Sequence, residues 1–114
     1  MTYRGQVTST IPLAATYEDA RARFLREARD AGATLTSFPH PRTGLCGEEL
    51  AIDVAELGSD DAADVVLVVS GTHGVEGYCG SAVQSRWLEA CAAERPHALS
   101  VVLVHALNPF GFSW

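Results

Sequence analysis

The chain has 114 residues, of which 47% are hydrophobic and 19% are charged. This is the balance of an ordinary folded domain, and it excludes a disordered or low-complexity chain. Eight basic and fourteen acidic residues give a formal net charge of -6, which excludes a general nucleic-acid-binding surface because binding phosphate requires clustered cations.

The cysteines and the apolar runs bear on where the protein is found. Cys46, Cys79 and Cys91 are an odd number, and their spacing fits no zinc finger, which favours a reducing compartment over a disulfide framework. We see no secretory signal, and the longest apolar runs, at 65–69 and 101–104, are far too short to span a bilayer. We therefore expect a cytoplasmic protein that binds no membrane.

The first half of the chain predicts a helix followed by a β-hairpin. Residues 1–15 are polar and irregular, and the apolar spacing over 16–31 predicts a helix that a threonine caps. Two short segments, 34–38 and 50–57, have the composition and alternation of paired strands. The segment between them, 40–47, has the composition of a turn.

The second half predicts a strand, a helix and a second strand. The continuous apolar run 65–69 is typical of a strand that is buried on both faces. A glycine-rich stretch, 71–80, leads into a predicted helix over 81–93, and a second apolar strand follows at 99–107. This order predicts a right-handed βαβ unit. With the hairpin it gives an α/β fold, a partial mixed sheet flanked by helices.

The glycine-rich stretch contains the residues that point to chemistry. His73 and Glu76 are a nitrogen and an oxygen donor three residues apart, directly after the apolar run 65–69. In open α/β sheets, ligand sites lie in the crevice beyond the carboxyl ends of the strands. Zinc hydrolase sites use three protein ligands of this kind and keep a fourth position for water. A metal site that includes His73 and Glu76 is therefore one interpretation.

Three other interpretations of this stretch stay open. His73 can cap a turn while Glu76 lies near the helix N-terminus, where its charge is favourable. Cys79 can act as a nucleophile with His73 as its base, because a helix N-terminus lowers the pKa of a thiol. A phosphate-binding loop fits less well, since the stretch lacks the Gly-Lys-Ser/Thr ending and Glu76 would repel phosphate.

A second set of polar residues lies at the end of the last predicted strand. His105 is followed by Asn108, which starts a turn with Pro109. If the two apolar strands are parallel, this end opens onto the same crevice as His73. The Asn108 side chain can then fix the loop or bind a substrate. His105 either supports the site from behind the ligands or is a hydrogen-bonded strand histidine.

Two motifs in this region resemble the zinc carboxypeptidase superfamily, which includes the succinylglutamate desuccinylase and aspartoacylase branch. The motifs are Ser-Gly-Thr-His-Gly-Val-Glu-Gly at 70–77 and His-Ala-Leu-Asn-Pro-Phe-Gly-Phe at 105–112. The resemblance is to a bacterial branch of carboxypeptidase-like proteins above all, and it covers about residues 16–114. It implies that this range is the N-terminal portion of a metallocarboxypeptidase-like domain, with residues 1–15 as an irregular segment ahead of it.

The same resemblance implies metal-assisted hydrolysis of an amide bond in a peptide or an acylated amino acid. It implies one zinc ion (Zn) with His73 and Glu76 as its first two ligands. In the family, the third ligand (a histidine), a substrate-binding arginine and a glutamate general base lie further downstream, beyond Trp114. We therefore expect the chain to be the N-terminal piece of a longer hydrolase and to be inactive by itself.

The competing hypothesis is a non-catalytic α/β interaction domain that associates through its aromatic C-terminal end. Phe110, Phe112 and Trp114 fall close together there, and burying large aromatic side chains needs a partner surface. The possible partners are a second copy of the chain or a complementing C-terminal part.

Overall fold

A computed structural model describes residues 12–114 of the chain, so eleven of the fifteen residues predicted to be irregular lie outside the described part. The elements over that range are, in chain order, α1 (Tyr17–Asp30), β1 (Thr34–Thr43), β2 (Glu49–Gly58), β3 (Val65–Val69), α2 (Gly77–Ala93), β4 (Ser100–His105) and α3 (Pro109–Ser113).

The strands form one mixed sheet in the order β1-β2-β4-β3. β1 and β2 are antiparallel, as the predicted hairpin requires, and β2 is antiparallel to β4. β3 and β4 are parallel, with Val65 opposite Ser100 and Val69 opposite Val104, so the strand–helix–strand unit is present. The predicted fold class, a partial mixed sheet flanked by helices, is confirmed.

The helix α1 begins where its sequence supplies a cap. The side chain of Thr16 accepts a hydrogen bond from the backbone N–H of Asp19 across 3.1 Å, and two acidic residues occupy the first turn. Both features stabilise the positive end of a helix. From there α1 packs beside α2 over one face of the sheet, and Phe24 of α1 and Leu88 of α2 are fully buried against Leu103.

The core lies on this one face. Alternate residues of the two central strands point into it, as the period of a strand requires. Those residues are Ala51, Asp53, Ala55 and Leu57 of β2 and Val101, Leu103 and His105 of β4. On the opposite face, Ile52, Val54, Val102 and Val104 are only partly buried, because none of the described elements covers them.

The prediction that 65–69 is buried on both faces is wrong for the described part of the chain. All five residues of β3 are exposed, with relative accessibilities from 36% at Val68 to 62% at Leu67. The physical reason is position: β3 is the edge strand of the sheet, and the two long helices pack mainly over β2 and β4. A run of apolar residues predicts a strand correctly but does not say what covers it.

Three predicted boundaries also shift. β1 continues through Pro39 and Pro41 to Thr43, which is possible because a proline is tolerated in an edge strand, where its missing N–H is not needed. α2 starts at Gly77 rather than at 81, and a short helix, α3, follows Asn108 where only a turn was predicted. No helix of residues 12–114 is long and apolar enough to cross a membrane.

Candidate metal centre

The loop that follows β3 and the segment that follows β4 run side by side. The backbone N–H of Leu107 donates to the carbonyl of Ser70 across 2.9 Å, and that of Asn108 donates to Gly71 across 2.8 Å. Gly71 has a φ of +65°, and a Cβ there would lie 2.9 Å from the Cα of Ala106. Only glycine suits such a conformation at such a close approach, so the two predicted site segments do share one crevice.

Glu76 is held in place by the backbone of its own loop. One carboxylate oxygen, Oε1, accepts the N–H of His73 across 2.8 Å, and the other, Oε2, accepts the N–H of Gly74 across 2.8 Å. Hydrogen bonds that favour the charged form lower the pKa of a carboxyl group. The N–H of Gly74 is the largest cause of the lowered pKa of Glu76, and the N–H and ring of His73 add to it.

The two predicted metal ligands face each other. Nδ1 of His73 lies 3.1 Å from Oε1 of Glu76, and the side chains are 85% and 53% exposed. Atoms that bind the same tetrahedral zinc ion at about 2.0–2.1 Å each are separated by about 3.3 Å. The observed separation fits that value, and both donors are open to solvent on one side, so the residues present fit a zinc ion as two of its ligands.

The rest of a zinc coordination shell is not found among residues 12–114. No group of three or more His, Cys, Asp or Glu side chains in that range is placed to hold a metal ion. A catalytic zinc ion normally has three protein ligands. Within the described part, His73 and Glu76 therefore form a two-ligand site.

Asn108 joins the loop of His73 to the start of α3. Its Nδ2 donates to the backbone carbonyl of His73 across 3.1 Å, and its Oδ1 accepts the N–H of Gly111 across 2.9 Å. Of the two roles that the sequence allows, fixing the loop is the one these contacts perform. The side chain is also exposed, so a role in binding substrate stays a prediction.

His105 lies beneath the site rather than in it. Its ring is fully buried and stacks on Phe24 with a centroid separation of 4.5 Å. Nε2 is hydrogen bonded to the hydroxyl of Ser81 at 2.8 Å, whereas Nδ1 has no hydrogen-bond partner among the described residues. Burial lowers the pKa of His105 to about 4. The ring is thus neutral at pH 7 and connects the end of β4 to the first turns of α2.

The sequence analysis missed two residues that support the crevice, Ser70 and Gln84. The amide nitrogen of Gln84 donates to the carbonyls of Val68 and Val104, at 3.1 Å each. Its amide oxygen accepts the hydroxyl of Ser70, at 2.8 Å. The available signal was helical spacing: Gln84 is one turn before the buried Leu88, and a polar residue on a buried helix face must find partners.

The alternatives to a metal site gain less from these contacts. Glu76, and not Cys79, is the side chain that contacts the ring of His73, so a cysteine–histidine pair is not formed here. Of the terminal aromatic residues, Phe112 is fully buried, and Phe110 stacks on His40 at 5.9 Å. Association through the aromatic end would therefore depend on Trp114, which is 63% exposed.

The mixed α/β fold is one that part of the bacterial glutaminyl cyclases shares. The structure is similar to glutaminyl cyclase from Porphyromonas gingivalis, with a TM-score of 0.56 and 14% identity, over 82% of this chain and 40% of that chain. It is also similar to glutaminyl cyclase from Tannerella forsythia, with a TM-score of 0.57 and 14% identity, over 85% of this chain and 40% of that chain. The chain thus spans about 40% of the length of these structures.

Sequence comparison gives the family. Residues 13–114 match the family described as "Protein of unknown function (DUF2817)", and the chain belongs to that family. No curated protein matches the sequence.

Proposed function

We propose that the chain forms part of a zinc-dependent hydrolase of amide bonds and supplies two ligands of one zinc ion, His73 and Glu76. The observation that carries the proposal is the 3.1 Å separation between Nδ1 of His73 and Oε1 of Glu76, at the carboxyl ends of two parallel strands. The motif resemblance to zinc carboxypeptidases supports it, and the fold shared with glutaminyl cyclases is compatible with it.

Each residue of the loop has a definable task in this proposal. A bound zinc ion lowers the pKa of its water to about 7 and polarises a carbonyl group. Glu76 is kept ionised by the N–H groups of His73 and Gly74, so it is ready to bind a cation without rearrangement. Asn108 holds the carbonyl of His73 and thereby limits the positions that the imidazole can take.

The substrate class comes from the motif resemblance and from the openness of the site. The carboxypeptidase-like motifs indicate a peptide or an acylated amino acid as substrate. Both proposed ligands are largely exposed, so the described residues leave room above them for the remaining ligand and for a substrate. We expect the chain by itself to bind zinc weakly and not to hydrolyse amides, because a two-ligand site also lacks a general base.

Zinc binding to the purified chain tests the proposal without relying on activity. In an isothermal titration with zinc chloride at pH 7.5, we expect one weak site per chain. His73→Ala and Glu76→Ala should each weaken binding at least about tenfold, since each removes one of two ligands. Side-chain nitrogen NMR should show the signal of Nδ1 of His73 moving as zinc is added.

The matched controls are His97→Ala and Glu89→Ala, which remove an exposed imidazole and an exposed carboxylate away from the loop. These variants should bind zinc as the unaltered chain does. Equal zinc affinity in the His73→Ala variant, or an equal loss in both controls, would show that zinc binds the surface non-specifically and would refute the proposal.

A further inference from the structure

The open edge of β3 is the most apolar unpaired surface among the described residues. Val65, Leu67 and Val69 are 61%, 62% and 41% exposed, and no described strand lies beyond β3 in the sheet. In a strand that pairs on one side only, every second residue turns its N–H and C=O toward the free side. Such an edge is a template for a further strand.

The two edges of this sheet differ in how they are protected. The other edge, β1, carries Pro39 and Pro41 and has an irregular register between Pro39 and Thr43. Prolines and bulges at an edge hinder the approach of another strand. β3 has neither of these features and no charged residue, so pairing between molecules is favoured at β3 and not at β1.

We propose that the open edge of β3 binds the β3 edge of a second copy of this chain, in antiparallel register about Leu67. The strand sequence is Val-Val-Leu-Val-Val, which reads the same in both directions. A two-fold axis through Leu67 places Val65 opposite Val69 and Val66 opposite Val68 of the other copy. A symmetric dimer needs a self-complementary surface of this kind, and the product is one continuous sheet of eight strands.

The charges beside β3 favour the antiparallel direction. Asp60, Asp61 and Asp64 precede the strand. In a parallel pair, Asp64 would face Asp64 of the second copy. In the antiparallel register Asp64 faces Ser70, and the two Asp64 residues are six positions, or about 20 Å, apart. That distance exceeds the Debye length of about 8–10 Å at physiological salt, so the repulsion between them is screened.

The helix side of β3 offers the second copy additional apolar contact. Val66 and Val68 line an open groove of about 680 Å³ together with Val83 and Trp87 of α2. In the proposed register Val66 and Val68 pair across the two-fold axis and point to the same side of the sheet. The added strand would therefore close the open side of this groove.

Cysteine cross-linking tests the register directly. The background is a chain in which the exposed Cys46 and Cys79 are replaced by serine. Opposed Cα atoms in antiparallel strands are about 4.5–5.5 Å apart, within the range of a disulfide. Under mild oxidation we expect Leu67→Cys to form a covalent dimer with itself. Val65→Cys should not do so by itself, but should cross-link to Val69→Cys when the two variants are mixed.

Sedimentation equilibrium provides the second measurement. The unaltered chain should show a concentration-dependent monomer–dimer equilibrium, and Leu67→Lys should be monomeric with an unchanged circular dichroism spectrum. The matched control, Phe38→Lys, places a lysine at a 56% exposed apolar residue of β1 and should leave the dimer intact.

Three results would overturn the proposal. The first is a monomer at all concentrations, which would leave β3 to a different polypeptide, such as a complementing C-terminal part. The second is self-linking of Val65→Cys, which indicates parallel strands. The third is association that Leu67→Lys does not reduce. The metal site is tested separately by zinc titration, so failure of one proposal does not imply failure of the other.

Discussion

The hydroxyl of Ser70 donates to the amide oxygen of Gln84 across 2.8 Å, and this buried bond ties the start of the candidate metal loop to α2. The amide nitrogen of Gln84 donates to carbonyls of both β3 and β4. A single side chain thus holds the carboxyl ends of two parallel strands and the residue that leads into the loop. The loop geometry depends on a residue that a ligand search based on His, Cys, Asp and Glu would never select.

Gln84→Glu should destabilise the fold, and the loss should grow as the pH rises. The substitution replaces the amide donor with a carboxylate oxygen that faces the carbonyls of Val68 and Val104. Burial raises the pKa of a carboxyl group, so the folded state binds a proton that the unfolded state has released above its pKa of about 4.3. Stability then falls as the pH rises above that value. Urea unfolding should show a loss of about 3 kcal/mol at neutral pH and a smaller one at pH 4.

The control for this substitution is Glu89→Gln, at an exposed position of α2. Surface changes of this kind stay within about 0.5 kcal/mol. If Gln84→Glu were as stable as the unaltered chain at neutral pH, the bridge between β3, β4 and the loop would not exist in solution.

Local sequence signals were sufficient for most of the elements. Thr16 caps α1, as its hydroxyl chemistry predicts, and β3, α2 and β4 follow the predicted order. These features depend on residues close in sequence and on hydrophobic period, which the sequence displays directly. The start of α2 at Gly77 was not predicted, because glycine is a poor helix former. Its reason is tertiary: a Cβ at Gly77 would lie 2.1 Å from the ring of Phe112.

The supporting contacts of the candidate site depend on the fold and could not be read from spacing. The pair of donors, His73 and Glu76, was visible as a motif. The backbone N–H groups that hold Glu76 and the link from Asn108 to the carbonyl of His73 arise only when two loops meet. Likewise, the apolar run of β3 gave the strand but not its exposure, since the neighbours of an edge are set by topology.

Arg21 and Asp53 form the most buried ion pair among residues 12–114. The carboxylate of Asp53 is fully buried and accepts from Nε of Arg21 across 2.8 Å and from its terminal nitrogen across 3.2 Å. Arg21→Met should cost about 3–5 kcal/mol, because it leaves a buried charge without its partner. Asp53→Asn should cost less, since the 19% exposed guanidinium can be solvated.

A double-mutant cycle measures this coupling. Combining Arg21→Met with Asp53→Asn should be less destabilising than the sum of the single changes, since the neutral side chain no longer needs a cation. Arg26→Met is the control, because Arg26 is 61% exposed and lies 3.5 Å from Glu27, in a surface pair worth about 0–1 kcal/mol. Strict additivity of the two single changes would contradict a direct interaction.

His105 should make the fold sensitive to acid. An imidazolium donates at both nitrogens, yet Nδ1 of His105 has no acceptor among the described residues, and the ring is stacked on Phe24. Burial therefore lowers its pKa from 6.5 to about 4, the charge of Asp53 opposing the shift. Between these values the unfolded chain binds a proton that the folded chain does not, so stability falls as the pH drops from 6.5 and is fully lost for this group near pH 4.

The shift corresponds to an upper limit of about 3 kcal/mol, and urea unfolding from pH 7 to pH 4 measures it. His105→Gln should be less stable at pH 7, because it loses the ring stacked on Phe24, but its stability should fall less steeply with acid. His97→Gln, at an exposed loop residue, should keep the steep dependence of the unaltered chain. If His105→Gln and the unaltered chain lost stability in parallel, the acid sensitivity would come from carboxylates, and His105 would be charged in the folded protein at a pKa near its ordinary value.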